Sequence, residues 1–284
     1  MPQEPEQSSG EGRGAPMEAW DAIAARYDRF VTGRERTLAT EALRLAGLRA
    51  GDRFLDVAAG SGGLSLPAAR LGARVLATDW APGMIERFQA RARDEGLSEA
   101  EGRVMDCHAL DLADDSFDVT GSMFGVMLVP DQAQALREMV RVTRPGGRVL
   151  MVGFGDPRHF EALQLFLGAI RSVVPDFEGL PDDPPPLEFQ VSDPAELRRR
   201  LGAAGLDEVE VHTGHEERLE LRSGQELWDW CLGSNPIPGM LVSDLTEEQK
   251  AAVRRALDER IAERADGRDA AILTAALNIG VGTK

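Results

Sequence analysis

The chain has 284 residues, of which 43% are hydrophobic, enough for a sizeable core in one large domain or two small ones. Its 48 acidic and 32 basic residues leave a formal net charge of −16, which disfavours nucleic acid and anionic membranes as partners. The two cysteines, Cys107 and Cys231, lack metal-ligand spacing, so we expect neither a disulfide scaffold nor a metal site. The sequence has no signal-peptide pattern and no long apolar run, which predicts a cytoplasmic protein without a membrane span.

Residues 1–16 are predicted to form a disordered tail, because Pro, Glu, Gln, Ser and Gly dominate them and offer little apolar surface to bury. Apolar residues then recur at helical spacing over residues 20–30 and again over 38–45. The second run stops at Gly47, a residue that commonly ends helices. Two helices are therefore expected before the first strand.

Five short apolar runs follow, each bounded by polar residues or glycine and separated by stretches of helical period. They are RFLDVAAG, ARVLATDW, GRVMDC, SFDVTGSM and GRVLMVGF. Strands that alternate with helices predict right-handed strand–helix–strand units and a parallel sheet.

The alternation breaks after Phe154. A helix and a proline-rich stretch are expected before SDPAELRRRLGAAG, a helix capped by Ser192 or Asp193 that ends at Gly205. The strand LDEVEVHTGHEERLEL, a helical insertion and the last strand AAILTAALNIGVGTK complete the chain.

One domain is expected over residues 17–284. It is an α/β domain with a doubly wound, Rossmann-like, mostly parallel sheet whose last strand is antiparallel. Lid or cap segments are expected at about 17–33, 155–191 and 223–264.

The segment LDVAAGSGG, residues 55–63, is a strand that carries an acid and runs into a glycine-rich turn before a helix. Glycines there allow the backbone to approach a ligand closely, although a turn without any ligand is the structural alternative. Nineteen residues beyond Gly60, Asp79 ends the second strand, where an acid can accept two hydrogen bonds from a ribose diol. Asp79 alone could be a helix cap, but its distance from Gly60 favours ribose binding.

Together with VMDC, DDSFDV, SMFGVMLVPD and RPGGRVLMV, these motifs stand in an order over residues 51–154 that resembles the class I S-adenosylmethionine (SAM)-dependent methyltransferases, in particular the small-molecule, UbiE-like group. Ala58 departs from the pattern, because it stands where the family more often has its first glycine. The resemblance implies SAM as cofactor and the following cofactor-binding residues: Tyr27, Asp56, Ala58, Gly60, Gly62, Asp79, Trp80, Met84, Asp106, Cys107, Met123 and Phe124.

The resemblance also implies separate roles for three of these side chains. Trp80 would lie on the adenine face, with simple core packing as the alternative. Asp106 would accept a hydrogen bond from the adenine amino group, unless it only stabilises a turn. Tyr27, the single tyrosine, would close over the methionine moiety, unless it only anchors a helix edge.

A dinucleotide-dependent dehydrogenase shares this fold and the ribose acid. Its fingerprint needs a third glycine where this chain has Ser65. A pyrophosphate would also be repelled by Asp56, whereas SAM presents a cationic amine and sulfonium. The sequence therefore predicts binding of SAM in preference to NAD.

Methyl transfer from a sulfonium needs alignment and exclusion of water, while a general base is optional. His159 follows the fifth strand on the expected acceptor side and is the predicted base. His212 and His215 are the alternatives, and His108 is expected in a loop beside the adenine.

The methyl acceptor is predicted to be a small, apolar or aromatic metabolite selected by the lid and cap segments. Oxygen, nitrogen and carbon acceptors remain open, as does the oligomeric state. Two other functions share these motifs: a reaction other than methyl transfer, such as a cyclisation, and a regulatory SAM-binding module.

Overall fold

The computed structural model of the protein describes residues 14–34 and 36–284. Most of the predicted tail, residues 1–13, lies outside the described residues. The rest of that segment is described, and Ala15 lines a cavity of the fold. None of the described helices combines the length and apolar character needed to cross a membrane.

The described residues form one sheet of seven strands in the order β3-β2-β1-β4-β5-β7-β6. The strands are β1 (Arg53–Val57), β2 (Arg74–Asp79), β3 (Ala100–Val104), β4 (Phe117–Met123), β5 (Thr143–Phe154), β6 (Asp207–Leu221) and β7 (Ala271–Thr283). Strands β1 to β5 are parallel, and β7 runs antiparallel to both of its neighbours. This confirms the doubly wound, mostly parallel sheet with an antiparallel last strand.

Ten α-helices flank or cap the sheet in the described part of the chain. They are α1 (Met17–Tyr27), α2 (Arg36–Leu45), α3 (Ser65–Arg70), α4 (Pro82–Asp94), α5 (Gln132–Val142), α6 (Glu161–Val173), α7 (Pro194–Ala203), α8 (Gly224–Ser234), α9 (Pro236–Leu241) and α10 (Glu247–Ala265). The cap of α7 is Asp193, whose carboxylate accepts hydrogen bonds from the backbone N–H groups of Ala195 and Glu196. Gly205 follows that helix with a φ of +102°.

The strand order reverses between β1 and β4, because β2 and β3 lie to one side of that pair and β5 to the other. In open α/β sheets a crevice forms at the carboxyl ends of the strands at such a point. The fold thus places the turn after β1 and the residues after β4 on opposite sides of one crevice.

Strands β6 and β7 are long enough to project beyond the rest of the sheet. Pairing between β5 and β7 ends at Phe154 and Leu277, whereas β7 remains paired with β6 as far as Ala271 and Leu221. This two-stranded extension packs with α6, α8 and α10 in a second apolar cluster, separate from the main core under the sheet. Helices α6, α8 and α10 therefore form a packed layer supported by β6 and β7.

Candidate active site

A cavity of about 670 Å³ lies at the crevice between β1 and β4. Nine of the twelve predicted cofactor residues line it: Tyr27, Ala58, Gly60, Asp79, Trp80, Met84, Asp106, Cys107 and Phe124. Residues separated by about a hundred positions in sequence thus meet in one cavity. We refer to it as the cofactor cavity.

The turn after β1 has the backbone conformation that favours glycine, since φ is +54° at both Ala58 and Gly60. A Cβ atom at Gly60 would lie 3.1 Å from Cε1 of Tyr27, so the tyrosine ring packs directly on this turn. The backbone N–H of Gly60 donates to Oδ2 of Asp79 at 2.9 Å, and that of Ala81 donates to Oδ1 at 2.9 Å. Asp79 therefore anchors the turn and the start of α4 while also facing the cavity.

Three predicted cofactor residues do not line the cavity. Asp56 is 1% exposed beneath the turn, where the Ser65 hydroxyl donates to Oδ2 at 2.5 Å. A Cβ atom at Gly62 would meet Cδ2 of Phe88 at 2.6 Å, so this glycine is required by helix packing. Met123 is buried in the main core. Strand and turn geometry directs these three side-chain positions inward, away from the crevice.

The charge state of Asp56 is set by its surroundings. Its pKa is raised to about 7, because burial and, to a lesser extent, the Asp79 carboxylate outweigh the opposing hydrogen bonds from Ser65. Its Oδ1 atom has no hydrogen-bond partner among the described residues. An unpartnered buried carboxylate oxygen behind the turn fits a cofactor that brings positive charge to this end of the sheet.

We expect Asp56→Asn to flatten the pH dependence of stability of the ligand-free protein. Because the pKa of Asp56 is raised on folding, the native state binds more protons than the unfolded chain between about pH 4 and pH 7, so stability falls as pH rises through that window. Urea unfolding across this range measures the effect. Asp52→Asn is the control, because Asp52 caps a surface turn by accepting from Arg49 N–H at 2.8 Å. An unchanged slope in Asp56→Asn would contradict the assignment.

The segment after β3 forms the far wall of the cofactor cavity. Strand β3 ends at Val104, so Asp106 and Cys107 follow the strand and do not close it. The exposed Asp106 carboxylate accepts from the backbone N–H of His108 at 2.9 Å and lies 2.7 Å from its Nδ1. The turn-stabilising role weighed for Asp106 is therefore present, and the residue lines the cavity as well.

Asp106, Cys107 and His108 bring three metal-type ligand atoms within 4.8 Å of one another. Burial raises the pKa of the Cys107 thiol to about 12, with further contributions from Asp106 and Asp79. Because the thiolate is the form that binds metals, a thiol held protonated is a poor ligand. We assign no metal to this cluster.

A second cavity of about 830 Å³ adjoins the first and lies under the cap. The two share four wall residues: Trp20, Tyr27, Phe124 and Leu128. Most other wall residues of the second cavity are apolar, including Phe154, Phe160, Phe166, Phe189 and Trp230. We refer to it as the cap cavity. Of the tryptophan and methionine side chains expected there, Trp228 is buried in the cap cluster and Met240 is 56% exposed.

Two carboxylates in the cap cavity, Glu188 and Glu217, were not predicted from the sequence. Glu217 lies on the same face of β6 as Leu219 and Leu221, which are two and four residues further along and are buried. The alternation of side chains along β6 could therefore have identified Glu217 as inward-facing. Glu188 lies in a short 3₁₀ turn, Leu187–Phe189, after a proline-rich stretch, where no periodic pattern exists to reveal its orientation.

His159 does not line either cavity. Its side chain is 72% exposed, and its Nδ1 lies 4.0 Å from the Asp156 carboxylate. The prediction that His159 is the base finds no support in this geometry, because the 3₁₀ turn Pro157–His159 directs the ring to solvent. His212 and His215 also lie outside both cavities, at a strand irregularity in β6. His108 lines the cofactor cavity.

The helix that carries Tyr27 is fastened to the crevice at several points. The Asp21 carboxylate accepts from Gly83 N–H at 2.7 Å, and the Arg91 guanidinium pairs with Asp28. Thr32, in the π-helical turn Asp28–Thr32 after α1, forms a hydrogen bond with Ser61 of the glycine turn. These contacts hold the lid segment over the junction of the two cavities.

Comparison with known proteins identifies relatives that are methyltransferases. A family model described as a methyltransferase domain matches residues 55–151. Demethylmenaquinone methyltransferase from Mycobacterium sp. (strain KMS) is 32% identical over 201 residues, which cover 67% of this chain and 84% of that protein. An uncharacterized protein of Mycobacterium tuberculosis is 48% identical over 109 residues, so the match spans 38% of this chain and only 39% of the relative.

Among solved structures, the YcgJ protein from Bacillus subtilis superposes with a TM-score of 0.56 at 18% identity, covering 88% of this chain and 97% of that one. At this identity the likeness concerns the fold alone. The ordered motifs, the crevice between β1 and β4 and the mycobacterial relative lead to one conclusion. The chain belongs to the class I SAM-dependent methyltransferases, with S-adenosylmethionine as its cofactor.

Proposed function

We propose that the protein transfers the methyl group of SAM to an apolar small molecule bound in the cap cavity. The observation that carries this proposal is the shared wall of Trp20, Tyr27, Phe124 and Leu128, which sets an apolar cavity directly beside the cofactor cavity. A methyl donor and its acceptor must meet in line and without competing water, and adjoining cavities under a fastened lid suit that requirement.

The residues of the cofactor cavity fit SAM in charge and shape. Asp79 can accept from the ribose diol, because each carboxylate oxygen retains acceptor capacity beyond its backbone hydrogen bond. The indole ring of Trp80 and the thioether of Met84 offer apolar surface for the adenine. A cationic ligand would favour the ionised form of Asp56, which lies behind the turn. When bound, SAM supplies an activated methyl group on a sulfonium leaving group.

The two alternative functions, a regulatory SAM-binding module and a cyclase, lead to different expectations for the cap cavity and for the methyl group. A pure SAM sensor has no use for a second apolar cavity of about 830 Å³, so the cap cavity favours an enzyme. A cyclase would use that cavity without consuming the methyl group.

Calorimetric titration is expected to show saturable binding of S-adenosylhomocysteine and none of NAD, because of the Asp56 charge and the absence of the third fingerprint glycine at Ser65. Incubation with SAM labelled in its methyl group and a panel of apolar metabolites should then yield a labelled product. NAD binding without a response to S-adenosylhomocysteine would contradict the cofactor assignment. A product formed without label would favour the cyclase.

A further inference from the structure

The charged side chains in the described lining of the cap cavity are all acidic. Among the described residues that line it, Glu188 and Glu217 are the charged side chains, and lysine, arginine and histidine are not represented. Apolar and aromatic side chains make up most of the remaining wall. An acceptor carrying a carboxylate or phosphate would meet two like charges in a low-dielectric space, which disfavours its binding.

Both glutamates lie in surroundings that oppose a buried negative charge. Glu188 is 6% exposed, and its Oε2 has no hydrogen-bond partner among the described residues. Glu217 is half-buried where it faces the cavity, and the nearby Arg34 is the cation that acts on it. Burial raises the pKa of Glu217 to about 7 and raises that of Glu188 above its ordinary value. Buried polar groups of this kind are stabilised by a complementary ligand.

The aromatic side chains of the cap cavity also favour a cationic ligand. The rings of Phe154, Phe160 and Trp230 form a continuous surface, with centroid separations of 4.6 Å between the phenylalanines and 6.2 Å between Phe160 and the tryptophan. Ring faces attract cations. A cavity lined by both aromatic rings and carboxylates is therefore suited to binding an ammonium group.

Resting on the proposed function, we infer that the methyl acceptor is an amine carried by an apolar body, and that Glu217 and Glu188 bind its nitrogen in the cap cavity. The apolar body would lie against the aromatic wall, and the ammonium group would bring positive charge to a cavity whose described lining includes two carboxylates and no cationic side chain. This assigns both glutamates to acceptor recognition and gives the cap cavity a chemical class of ligand.

A bound ammonium must lose a proton before its nitrogen can react. The N–H proton passes to the Glu217 carboxylate, which becomes a neutral carboxyl group, and the nitrogen regains its lone pair. That pair forms the new N–C bond as the C–S bond breaks, its electrons remain on sulfur, and the products are a methylated ammonium and S-adenosylhomocysteine. Glu217 then returns its proton to solvent. The other titratable groups facing the cavity are Glu188, Tyr27 and Cys231, and burial raises the pKa of the Cys231 thiol.

Three probes of equal length test the inference by binding alone: phenylbutylamine, phenylbutanol and phenylbutanoate. Each is titrated into the protein saturated with S-adenosylhomocysteine, and thermal unfolding or calorimetry reports binding. We expect the amine to bind at least about tenfold more tightly than the alcohol, and the carboxylate to bind weakest. Equal responses to the three probes, including no response to any, would overturn the inference.

Variants connect that preference to the two carboxylates. Glu217→Gln, Glu188→Gln and the double variant should each lower amine affinity by about tenfold or more, while the affinity for S-adenosylhomocysteine stays within about threefold of the unsubstituted protein. The matched control is Glu216→Gln, whose exposed side chain lies on the opposite face of β6. Undiminished amine binding by the double variant would refute the assignment.

Once an amine substrate is identified, the pH dependence of kcat provides a second test of the inference. With Glu217 as the proton acceptor, kcat should rise with pH through about 7, and Glu217→Gln should lower kcat by about a hundredfold and abolish that limb. His159→Ala should leave kcat and its pH dependence unchanged. If S-adenosylhomocysteine fails to bind, the proposed function itself fails. If it binds and the alcohol is methylated in preference to the amine, only the inference about the acceptor fails.

Discussion

Gly224→Ala is expected to destabilise the protein by at least about 3 kcal/mol. Gly224 is the first residue of α8 and lies against the backbone of α10, where an added Cβ would come within 2.2 Å of the Asp258 nitrogen and 2.4 Å of the Leu257 carbonyl carbon. Backbone atoms cannot rotate away as a flexible side chain can, so the two helices must separate. The cap cluster would then lose packing along the whole contact.

Urea unfolding followed by circular dichroism measures this effect. The matched control is Gly202→Ala in α7, where nothing lies within 4 Å of the added Cβ and the residue is exposed. That variant should be neutral or up to about 1 kcal/mol more stable, because alanine is the better helix former. A Gly224→Ala protein as stable as the control would show that α8 and α10 are not held at this distance.

The second large effect is expected for Asp79→Ala, which should weaken binding of S-adenosylhomocysteine by at least about tenfold. The carboxylate would lose two charge-assisted hydrogen bonds from the ribose diol, each contributing roughly 1.5 to 3 kcal/mol before compensation by water. The substitution also removes the acceptor for the N–H groups of Gly60 and Ala81, which loosens the glycine turn. Both consequences reduce affinity.

Calorimetric titration measures the affinity, and urea unfolding checks that the variant is folded. Asp52→Ala serves as the control, because it removes a comparable surface cap outside the cofactor cavity. Should a folded Asp79→Ala protein bind S-adenosylhomocysteine as tightly as the control, Asp79 would be only a cap for the turn and for α4.

The cofactor end of the protein was largely predictable because its signals are local. Each parallel strand is a short apolar run, and the residues directly after β1, β2 and β4 reach the same edge of the sheet whatever the rest of the chain does. Ala58, Gly60, Asp79 and Phe124 accordingly line one cavity. Gly62 and Asp56 do not line that cavity, because Gly62 packs on Phe88 and Asp56 is buried beneath the turn.

The acceptor end was predicted poorly because long-range packing builds it. His159 stands at the expected position in sequence, yet a short 3₁₀ turn exposes its ring. Glu217 belongs to a strand in which six of fifteen residues are acidic, a pattern typical of a solvated edge. It faces a cavity only because α8 and the segment near Glu188 cover that part of β6.

The sequence by itself determined the alternation of strands and helices, the glycine turn, the ribose acid and hence the cofactor family, because each depends on the conformation of a few consecutive residues. Tertiary structure alone decided which polar groups share the cap cavity. The orientation of a side chain toward a cavity depends on elements that meet it from distant parts of the chain, and no local pattern near Glu188 or His159 carries that information.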